Sequence, residues 1–534
     1  MTGRFQYLVI SAILLVVAAC NEADKLTLEA LQRDMQELQE SASAIQVPDA
    51  VTPLPYVPLE FGFILDKDLY EIDAGGSVTV HYTLSSASAV EAVTKCGWSA
   101  SVNYTGEGEG KIVITAPDPA SYAEVTLIAT TEDGRRTAVI LPVMLRDPFT
   151  AATRPRMTAV GYYSFKPWNA SEDNFVKLAE AGLTMVTVET GDEDYEKSLV
   201  GARKAGLEVL AIVGDDAAKW YDDMSYTGLD ELITSLKDST VIYEWWIRDE
   251  PSVDNIYELM AIEDKMKSLD PNRSVYVNLH PNASSNSLGV DNYYDYVNIY
   301  ATHMHLSHLS FDMYPILKNG GVQTDWHYCL ETVANVAKQH GVPFWAFAAS
   351  CWINKEPNIK LERAQPNVDN LLLQIYTDLA YGAQAVQYFT IQDYGGTDYA
   401  PIMRDGTWTK AYDDLKTANL TMQKRAFVFK DGNVTRIRQV GTSASHESAL
   451  SILDFPPAIK SVDVTFAATV SFIENNGNEY MVIVNNYWSA DQNVRVELDS
   501  PVYSIDSEGQ FHLLEPGVNN VWLAKGDIVV LKYR

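Results

Sequence analysis

The central part of the chain alternates between short apolar runs and longer stretches with the 3–4 residue spacing of amphipathic helices. That alternation is typical of βα units, in which parallel strands are buried between helices. Eight runs qualify as strands: 157–162, 185–189, 208–213, 242–247, 274–279, 309–313, 344–348 and 385–391. Eight repeats in residues 154–423 predict a (β/α)8 barrel, also called a TIM barrel. A doubly wound open sheet is the rival fold, but it favours a glycine-rich turn after the first strand, and Gly161-Tyr162-Tyr163-Ser164 is not one.

Both flanks of this segment show a different pattern, with apolar and polar residues alternating in short runs between glycine-containing turns. Residues 77–82 and 111–114 are examples before the barrel, and residues 479–485 after it. This period of two is typical of half-buried antiparallel strands. The sequence therefore predicts an immunoglobulin-like β-sandwich over residues 59–148 and a second β-sandwich over residues 424–534.

The first residues have the pattern of an export signal, with Arg4 followed by an apolar run and small residues before Cys20. The ending Val17-Ala18-Ala19-Cys20 resembles the lipobox of bacterial lipoproteins. The resemblance implies that residues 1–20 are a signal peptide, that Cys20 is lipidated, and that a lipid anchor holds the protein in the bacterial outer membrane. The acidic residues 21–24 are similar to the signal that places such proteins on the outward face. An ordinary cleaved signal peptide is the alternative.

Residues 21–58 are expected to connect this anchor to the folded part. Apolar residues between positions 28 and 45 recur at spacings of three and four, which predicts a coiled-coil stalk or a lone amphipathic helix. A coiled coil would allow oligomer formation through residues 26–45. Four prolines then mark a linker.

Composition removes several classes of function. The chain has 40 Lys and Arg against 71 Asp and Glu, a net charge of −31, so we expect no nucleic-acid partner. Cys96, Cys329 and Cys351 are scattered, which favours buried thiols, although one disulfide stays open. The histidines lack the spacing of metal ligands, and we expect no metal and no cofactor.

In a barrel of this kind, reacting side chains follow the carboxyl ends of the strands. We therefore expect a substrate cleft there. The polar residues at those positions are Glu189, Asp249, Glu250, Asn278, His280, Asp312, Tyr314 and Asp393.

The strongest motif is residues 243–251, Tyr-Glu-Trp-Trp-Ile-Arg-Asp-Glu-Pro. It resembles the fourth strand of clan A glycoside hydrolases, whose Asn/Asp-Glu-Pro ending presents the acid/base carboxyl group. A glycosidic oxygen leaves poorly unless it is protonated, so Glu250 is expected to be a general acid with a raised pKa. The alternative is a plain strand end followed by a helix that begins with Pro251.

Three further segments, 309–315, 379–389 and 403–406, resemble β-galactosidase-like barrels of the same clan. The resemblance implies that Asp312 and Tyr314 face the sugar. One feature departs from the family pattern: strand seven ends in Ala348-Ala349-Ser350, where retaining members carry a nucleophilic glutamate. The second catalytic carboxylate is therefore expected elsewhere, with Asp312 first, Glu356 second, and Glu189 and Asp393 after them.

Eight of the 11 tryptophans lie in the barrel segment, and aromatic rings stack on the apolar faces of sugars. Trp345 and Trp352 are expected to contact the glycan, while at least half of the eight are expected in the core. Taken together, the sequence predicts a cell-surface glycoside hydrolase acting on an oligosaccharide or polysaccharide. A surface lipoprotein that binds glycan without cleaving it is the alternative.

Overall fold

The computed structural model describes residues 62–67, 69–84, 87–94, 97–106, 108–118, 125–145, 153–224, 226–353, 363–395, 399–441 and 455–534. The predicted signal peptide with Cys20, the stalk with residues 26–45, and the side chains of Cys96 and Glu356 lie outside these ranges. The predictions made for them therefore stay predictions.

The centre of the chain is a closed barrel of eight parallel strands that neighbour one another in sequence order. The predicted (β/α)8 fold is confirmed, and the open sheet is excluded because the first strand pairs with the eighth. Barrel strands 1 to 8 are Thr158–Gly161, Met185–Glu189, Glu208–Ile212, Ile242–Asp249, Val275–Leu279, Leu309–Phe311, Phe344–Ala349 and Ala385–Phe389. Each lies within two residues of its predicted bounds.

Helices cover the outside of the barrel. They are Glu172–Glu180, Tyr195–Ala205, Gly214–Asp222, Gly228–Leu236, Ile256–Leu269, Ser285–Leu288, Tyr293–His303, Trp326–His340, Val368–Ala380, Lys410–Lys424 and Ala426–Phe429. Local sequence fixes several of their starts: the Ser171 hydroxyl accepts the Asn174 N–H, and Asn367 and Asn370 form a reciprocal capping box.

Alternation along the strands sorts side chains into two layers. In strand 2, Val186 and Val188 pack outward into the core between strands and helices, while Met185 lies in the smaller cluster inside the barrel. That inner cluster also contains Tyr162, Trp246 and Phe347. Bulky rings thus fill the barrel, and the polar ends of the strands are left at its open mouth.

The part before the barrel is built from short strands in three sheets. A four-stranded antiparallel sheet and a three-stranded antiparallel sheet form the main layers, and a two-stranded parallel sheet joins the ends of this part. In sheet order the strands are Phe63–Leu65, Ser77–Leu84, Glu109–Thr115 and Ser99–Tyr104; Ala89–Val93, Thr126–Thr130 and Arg136–Ile140; and Tyr70–Ile72 with Val143–Leu145. A β-sandwich is confirmed for this part, and its immunoglobulin-like character stays a prediction.

The chain closes in a second antiparallel sandwich with sheets of six and three strands. The six are Asn433–Val440, Ala468–Asn475, Asn478–Asn485, Ile528–Lys532, Val502–Ile505 and Phe511–Leu514, and the three are Ile459–Val464, Gln492–Leu498 and Gly517–Leu523. This sandwich is joined to the barrel by buried polar contacts. Arg425 forms an ion pair with Asp527 at 2.6 Å, and the Ser471 hydroxyl donates to the Ala380 carbonyl at 2.7 Å.

Cys329 and Cys351 are buried free thiols, as the sequence favoured. Within the ranges that the structure describes, no helix combines the length and the apolar character needed to cross a bilayer.

A buried carboxyl group lies at the amino-terminal end of the barrel, opposite the mouth. Glu244 of strand 4 is 0% exposed, and its Oε1 accepts hydrogen bonds from the hydroxyls of Ser274 and Ser307. His308 lies 3.7 Å from Glu244 Oε2, but burial lowers the pKa of this histidine to about 3, so it is neutral and does not compensate a negative charge. Burial raises the pKa of Glu244 to about 7, against the lowering effect of the two serine hydrogen bonds.

We predict that Glu244 makes folding stability fall as pH rises. Its pKa is higher in the folded protein than in the unfolded chain, so its contribution is complete below pH 4.5 and is lost as pH rises through about 7. A pKa difference of this size between the folded and unfolded states changes the free energy of unfolding by about 3 kcal/mol. Glu244→Gln should therefore raise the melting temperature relative to wild type more at pH 8 than at pH 5, whereas Glu231→Gln, on an exposed helix face, should not. A pH-independent difference for Glu244→Gln would contradict this.

Candidate active site

Three adjoining pockets form a cleft across the mouth of the barrel, and Asp249 lines all three. The acidic pocket, about 620 Å³, is lined by Glu189, Asp192, Asp215, Asp216, Trp246 and Arg248 among others. The carboxylate pocket, about 290 Å³, includes Glu250, Asn278, Asp312, Tyr314, Asp325 and Arg363. The aromatic pocket, about 470 Å³, includes Tyr163, Phe165, Lys166, Phe389, Gln392 and Tyr394. The C-terminal strand ends thus meet at one cleft.

The corner that carries Glu250 has an unusual backbone. Glu250 has a φ of 41°, in the left-handed region that side chains other than glycine seldom adopt. Its N–H donates to the Asn278 carbonyl at 2.8 Å, and the following turn is held by Tyr296, whose hydroxyl donates to the Pro251 carbonyl at 2.8 Å, and by Tyr300, whose hydroxyl donates to the Ser252 carbonyl at 2.7 Å. These contacts compensate the strain and turn the Glu250 side chain into the cleft.

Glu250 has two charged or acidic neighbours. His280 Nδ1 lies 3.3 Å from Glu250 Oε1, and the carboxyl group of Asp312 shares a hydrogen bond with Glu250. Two carboxyl groups in hydrogen-bond contact hold one proton between them, because two adjacent negative charges repel. Burial alone would raise the pKa of Glu250, but the hydrogen bond and charge of His280 lower it.

Of the two carboxyl groups, Asp312 therefore holds the proton more strongly. Burial raises the pKa of Asp312 well above its usual range, and the charges of Glu250 and Asp249 raise it further. This differs from the raised pKa expected for Glu250. The sequence shows that Glu250 follows another acid, but it does not show that His280 approaches it and that a more deeply buried carboxyl group competes for the proton.

Asn278 connects this pair to Asp249. Its Nδ2 donates to Asp249 Oδ1 at 3.0 Å and to Asp312 Oδ1 at 3.0 Å. The Ser310 hydroxyl donates to Asn278 Oδ1 at 3.0 Å and itself accepts a hydrogen bond from Gln387 at 2.8 Å. The interior of the barrel thus fixes the Asn278 amide with its nitrogen toward the two carboxyl groups.

Asp249 is exposed to solvent in the cleft, although nearby protein atoms partly desolvate its carboxyl group. Burial is the main cause that raises its pKa to about 6, the Asn278 hydrogen bond opposes it, and the Glu250 charge adds to it. Asp249 is consequently ionised at neutral pH.

Aromatic rings line one side of the cleft. The ring centroids of Tyr163, Phe389 and Tyr394 lie 5.6 to 6.0 Å apart, and Tyr163 also has a left-handed φ, of 44°. On the adjoining wall the Lys166 ammonium pairs with Glu189 and with Asp192. The cleft therefore offers apolar ring faces next to charged hydrogen-bonding groups, a combination suited to sugars.

Several polar atoms in the cleft walls have no hydrogen-bond partner among the described residues. They belong to side chains that line the three pockets: Tyr162 Oη, Thr187 Oγ1, Trp246 Nε1, Arg363 Nε and Gln392 Nε2. Buried polar groups are normally paired, so these five atoms mark incompletely satisfied polar groups directly behind the cleft surface.

Most of the expected site residues come together. Glu189, Asp249, Glu250, Asn278, Asp312 and Tyr314 line the cleft, and His280 contacts Glu250. Sequence reasoning did not select Tyr163, Lys166 and Arg363, which lie in loops whose course the strand pattern does not define.

Three expected sugar contacts lie elsewhere. Trp345 is packed inside the barrel toward its amino-terminal end, where its ring stacks on His308 with centroids 3.6 Å apart, because it occurs early in strand 7. The Trp352 indole N–H donates to the Arg363 carbonyl, and Asp393 is buried and accepts the Gly395 N–H. None of these three lines the cleft pockets.

Within the described part of the chain, no three His, Cys, Asp or Glu side chains converge as a metal site would require. Five acids of the cleft contact Lys166, His280, Asn278 or one another: Glu189, Asp192, Asp249, Glu250 and Asp312.

Comparison with known proteins returned no matching family model and no similar curated protein. Among solved structures, two Bacteroides fragilis NCTC 9343 proteins assigned as α-galactosidases are similar to this chain, each with a TM-score of 0.41, 10% identity, 88% of this chain covered and 98% of the other. A β-galactosidase from the Antarctic haloarchaeon Halorubrum lacusprofundi is also similar, with a TM-score of 0.37, 10% identity, 71% of this chain covered and 99% of the other.

Proposed function

We propose that this protein is a cell-surface glycoside hydrolase that cleaves glycosidic bonds of an oligosaccharide or polysaccharide, with Glu250 and Asp312 as its acid/base pair. The observation that carries the proposal is that Glu250 and Asp312 line the same pocket of an open cleft, with Asn278 bonded to Asp312. Burial and the neighbouring charges raise the pKa of Asp312, which favours one proton on the pair. A glycosidic oxygen needs a proton as its bond to carbon breaks, and a carboxyl group that stays protonated at neutral pH supplies it.

The surroundings of the pair support a sugar as the ligand. The aromatic pocket and the carboxylate pocket share Asp249 and Phe389 in their linings, so one oligosaccharide could contact both. Ring faces at Tyr163, Phe389 and Tyr394 suit the C–H faces of sugars, and the polar side chains that line the neighbouring pockets suit their hydroxyl groups.

A glycan-binding lipoprotein without turnover is the second candidate. The observation in its favour is the end of strand 7, where Ala349 and Ser350 occupy positions that carry a catalytic glutamate in the clan that the sequence resembles. A protein that only binds glycan would need the cleft but would not need a protonated carboxyl group in it.

Substitution of the acid/base pair distinguishes the two candidates. Glu250→Gln and Asp312→Asn should each lower kcat on an unactivated glycan by at least about 10²-fold, because each removes one holder of the shared proton, while the glycan Kd changes little. The measurements are reducing-sugar release across a glycan panel and calorimetric binding of any glycan that is cleaved or bound. Glu231→Gln is the matched control and should be unaffected. Binding of a glycan that neither wild type nor variant cleaves would favour the second candidate.

We also propose that Cys20 anchors the protein in the bacterial outer membrane, facing outward. The lipobox-like residues 17–20 and the acidic residues after them support this. In the native host, wild type should incorporate labelled palmitate and be digested by protease added to intact cells, and Cys20→Ser should lose the label. A wild-type protein that takes up no label would contradict lipidation.

A further inference from the structure

The proposed reaction lacks one group. A glycosidase needs a second carboxyl group, about 5–5.5 Å from the acid when it acts as a nucleophile and about 6.5–9.5 Å away when it activates water. Asp312 cannot be that second group to Glu250, because the two are in hydrogen-bond contact and hold one proton together.

Asn278 sets the distance between Asp312 and the remaining acid of the network. Its single Nδ2 atom lies 3.0 Å from Asp249 Oδ1 and 3.0 Å from Asp312 Oδ1. The two N–H bonds of an amide diverge by about 120°, so two oxygens that each accept one of them lie about 5 Å apart. This is the spacing that retaining enzymes use between nucleophile and acid.

Asp249 is also free to react. Its Oδ1 accepts the Asn278 hydrogen bond, and Oδ2 has no hydrogen-bond partner among the described residues. The side chain is exposed at the point where the three pockets meet. With a pKa of about 6 it is a carboxylate at neutral pH, whereas Asp312 holds its proton.

The other acids considered for this role are less suited to it. The Lys166 ammonium forms ion pairs with both Glu189 and Asp192. This ion pair lowers the nucleophilicity of the Glu189 carboxylate. Asp393 is buried outside the cleft lining.

We propose that Asp249 is the catalytic nucleophile and that the enzyme retains anomeric configuration. This inference rests on the proposed function. In the first step an Asp249 carboxylate oxygen forms a bond to the anomeric carbon, the bond from that carbon to the glycosidic oxygen breaks with its electron pair, and the departing oxygen takes the proton of the Glu250–Asp312 pair. In the second step water attacks the same carbon, gives its proton back to the pair, and the glycosyl ester bond breaks to restore the Asp249 carboxylate.

In this scheme Asn278 is a positioning residue. Its amide donates one N–H to Asp249, the nucleophile, and the other to Asp312 of the acid pair. The hydrogen bond from the Ser310 hydroxyl to Asn278 Oδ1 prevents the amide from flipping. The distance between the two catalytic groups is thus set by the interior of the barrel and not by a mobile loop.

Activated substrates separate the nucleophile from the acid. The probes are the 2,4-dinitrophenyl α- and β-glycosides of the common hexoses, pentoses and deoxyhexoses, whose leaving group needs no proton. On a glycoside that wild type cleaves, Asp249→Ala should lower kcat by at least about 10³-fold, whereas Glu250→Gln should keep the bond-breaking step nearly unchanged. Sodium azide should restore activity to Asp249→Ala and give a glycosyl azide of inverted configuration. The control Asp173→Ala, on an exposed helix turn, should behave as wild type, and unchanged melting curves should show that each variant folds.

A second measurement uses wild type alone. Proton NMR of the first-formed sugar should show the anomer of the substrate, and kcat/KM should fall as pH drops below about 6, as Asp249 takes up a proton. An inverted first product, or an Asp249→Ala variant that stays active, would overturn the role of Asp249 and leave the hydrolase proposal in place. A wild type that cleaves neither the dinitrophenyl glycosides nor the glycan panel would overturn both.

Discussion

Crowding of three carboxyl groups is the constraint on which the cleft depends. Asp249, Glu250 and Asp312 belong to one hydrogen-bonded network, and three negative charges so close together in a partly desolvated place would repel strongly. The network avoids this repulsion because each carboxyl group has a different environment. His280 stabilises the charge of Glu250, and burial keeps the proton on Asp312. Burial raises the pKa of Asp249 to about 6, and the Asn278 hydrogen bond opposes this rise. Three acids of similar intrinsic pKa thereby acquire three different roles.

The arrangement is supported from two directions. From below, Gln387 and Ser310 in the barrel interior hold the Asn278 amide, and through it the spacing of two acids. From the side, Tyr296 and Tyr300 hold the turn that follows Glu250, which itself has a left-handed φ that the chain would otherwise avoid. Both supports come from strands and helices, which makes the site rigid where its geometry matters.

Much of the fold could be predicted because the hydrophobic pattern is local. A buried parallel strand is a short apolar run, and all eight were found from such runs together with their order. The location of the cleft followed from the general rule that C-terminal strand ends carry the chemistry. The depth of a residue in the barrel was harder to predict. Trp345 pairs with Ser310 inside strand 6, whereas Asp312 follows the end of that strand and reaches the mouth.

The distribution of protons could not be predicted, because it depends on contacts between residues far apart in sequence. The motif around Glu250 shows one adjacent acid, Asp249, but not His280 or Asp312, which come from the next two strands. The same holds for Glu244, whose pKa of about 7 follows from complete burial beside a neutral histidine. Side chains of loops, such as Lys166 and Arg363, were missed for a related reason: no periodic pattern places them.

The shared proton of Asp312 and Glu250 is the central claim, and infrared difference spectroscopy tests it most directly. The spectrum of wild type minus Asp312→Asn at pH 7 should contain the C=O stretch of one protonated carboxyl group, shifted by its hydrogen bond to Glu250 and sensitive to exchange into deuterium oxide. A difference spectrum with carboxylate bands alone would mean that Asp312 is ionised, and the account of the acid/base pair would then be wrong.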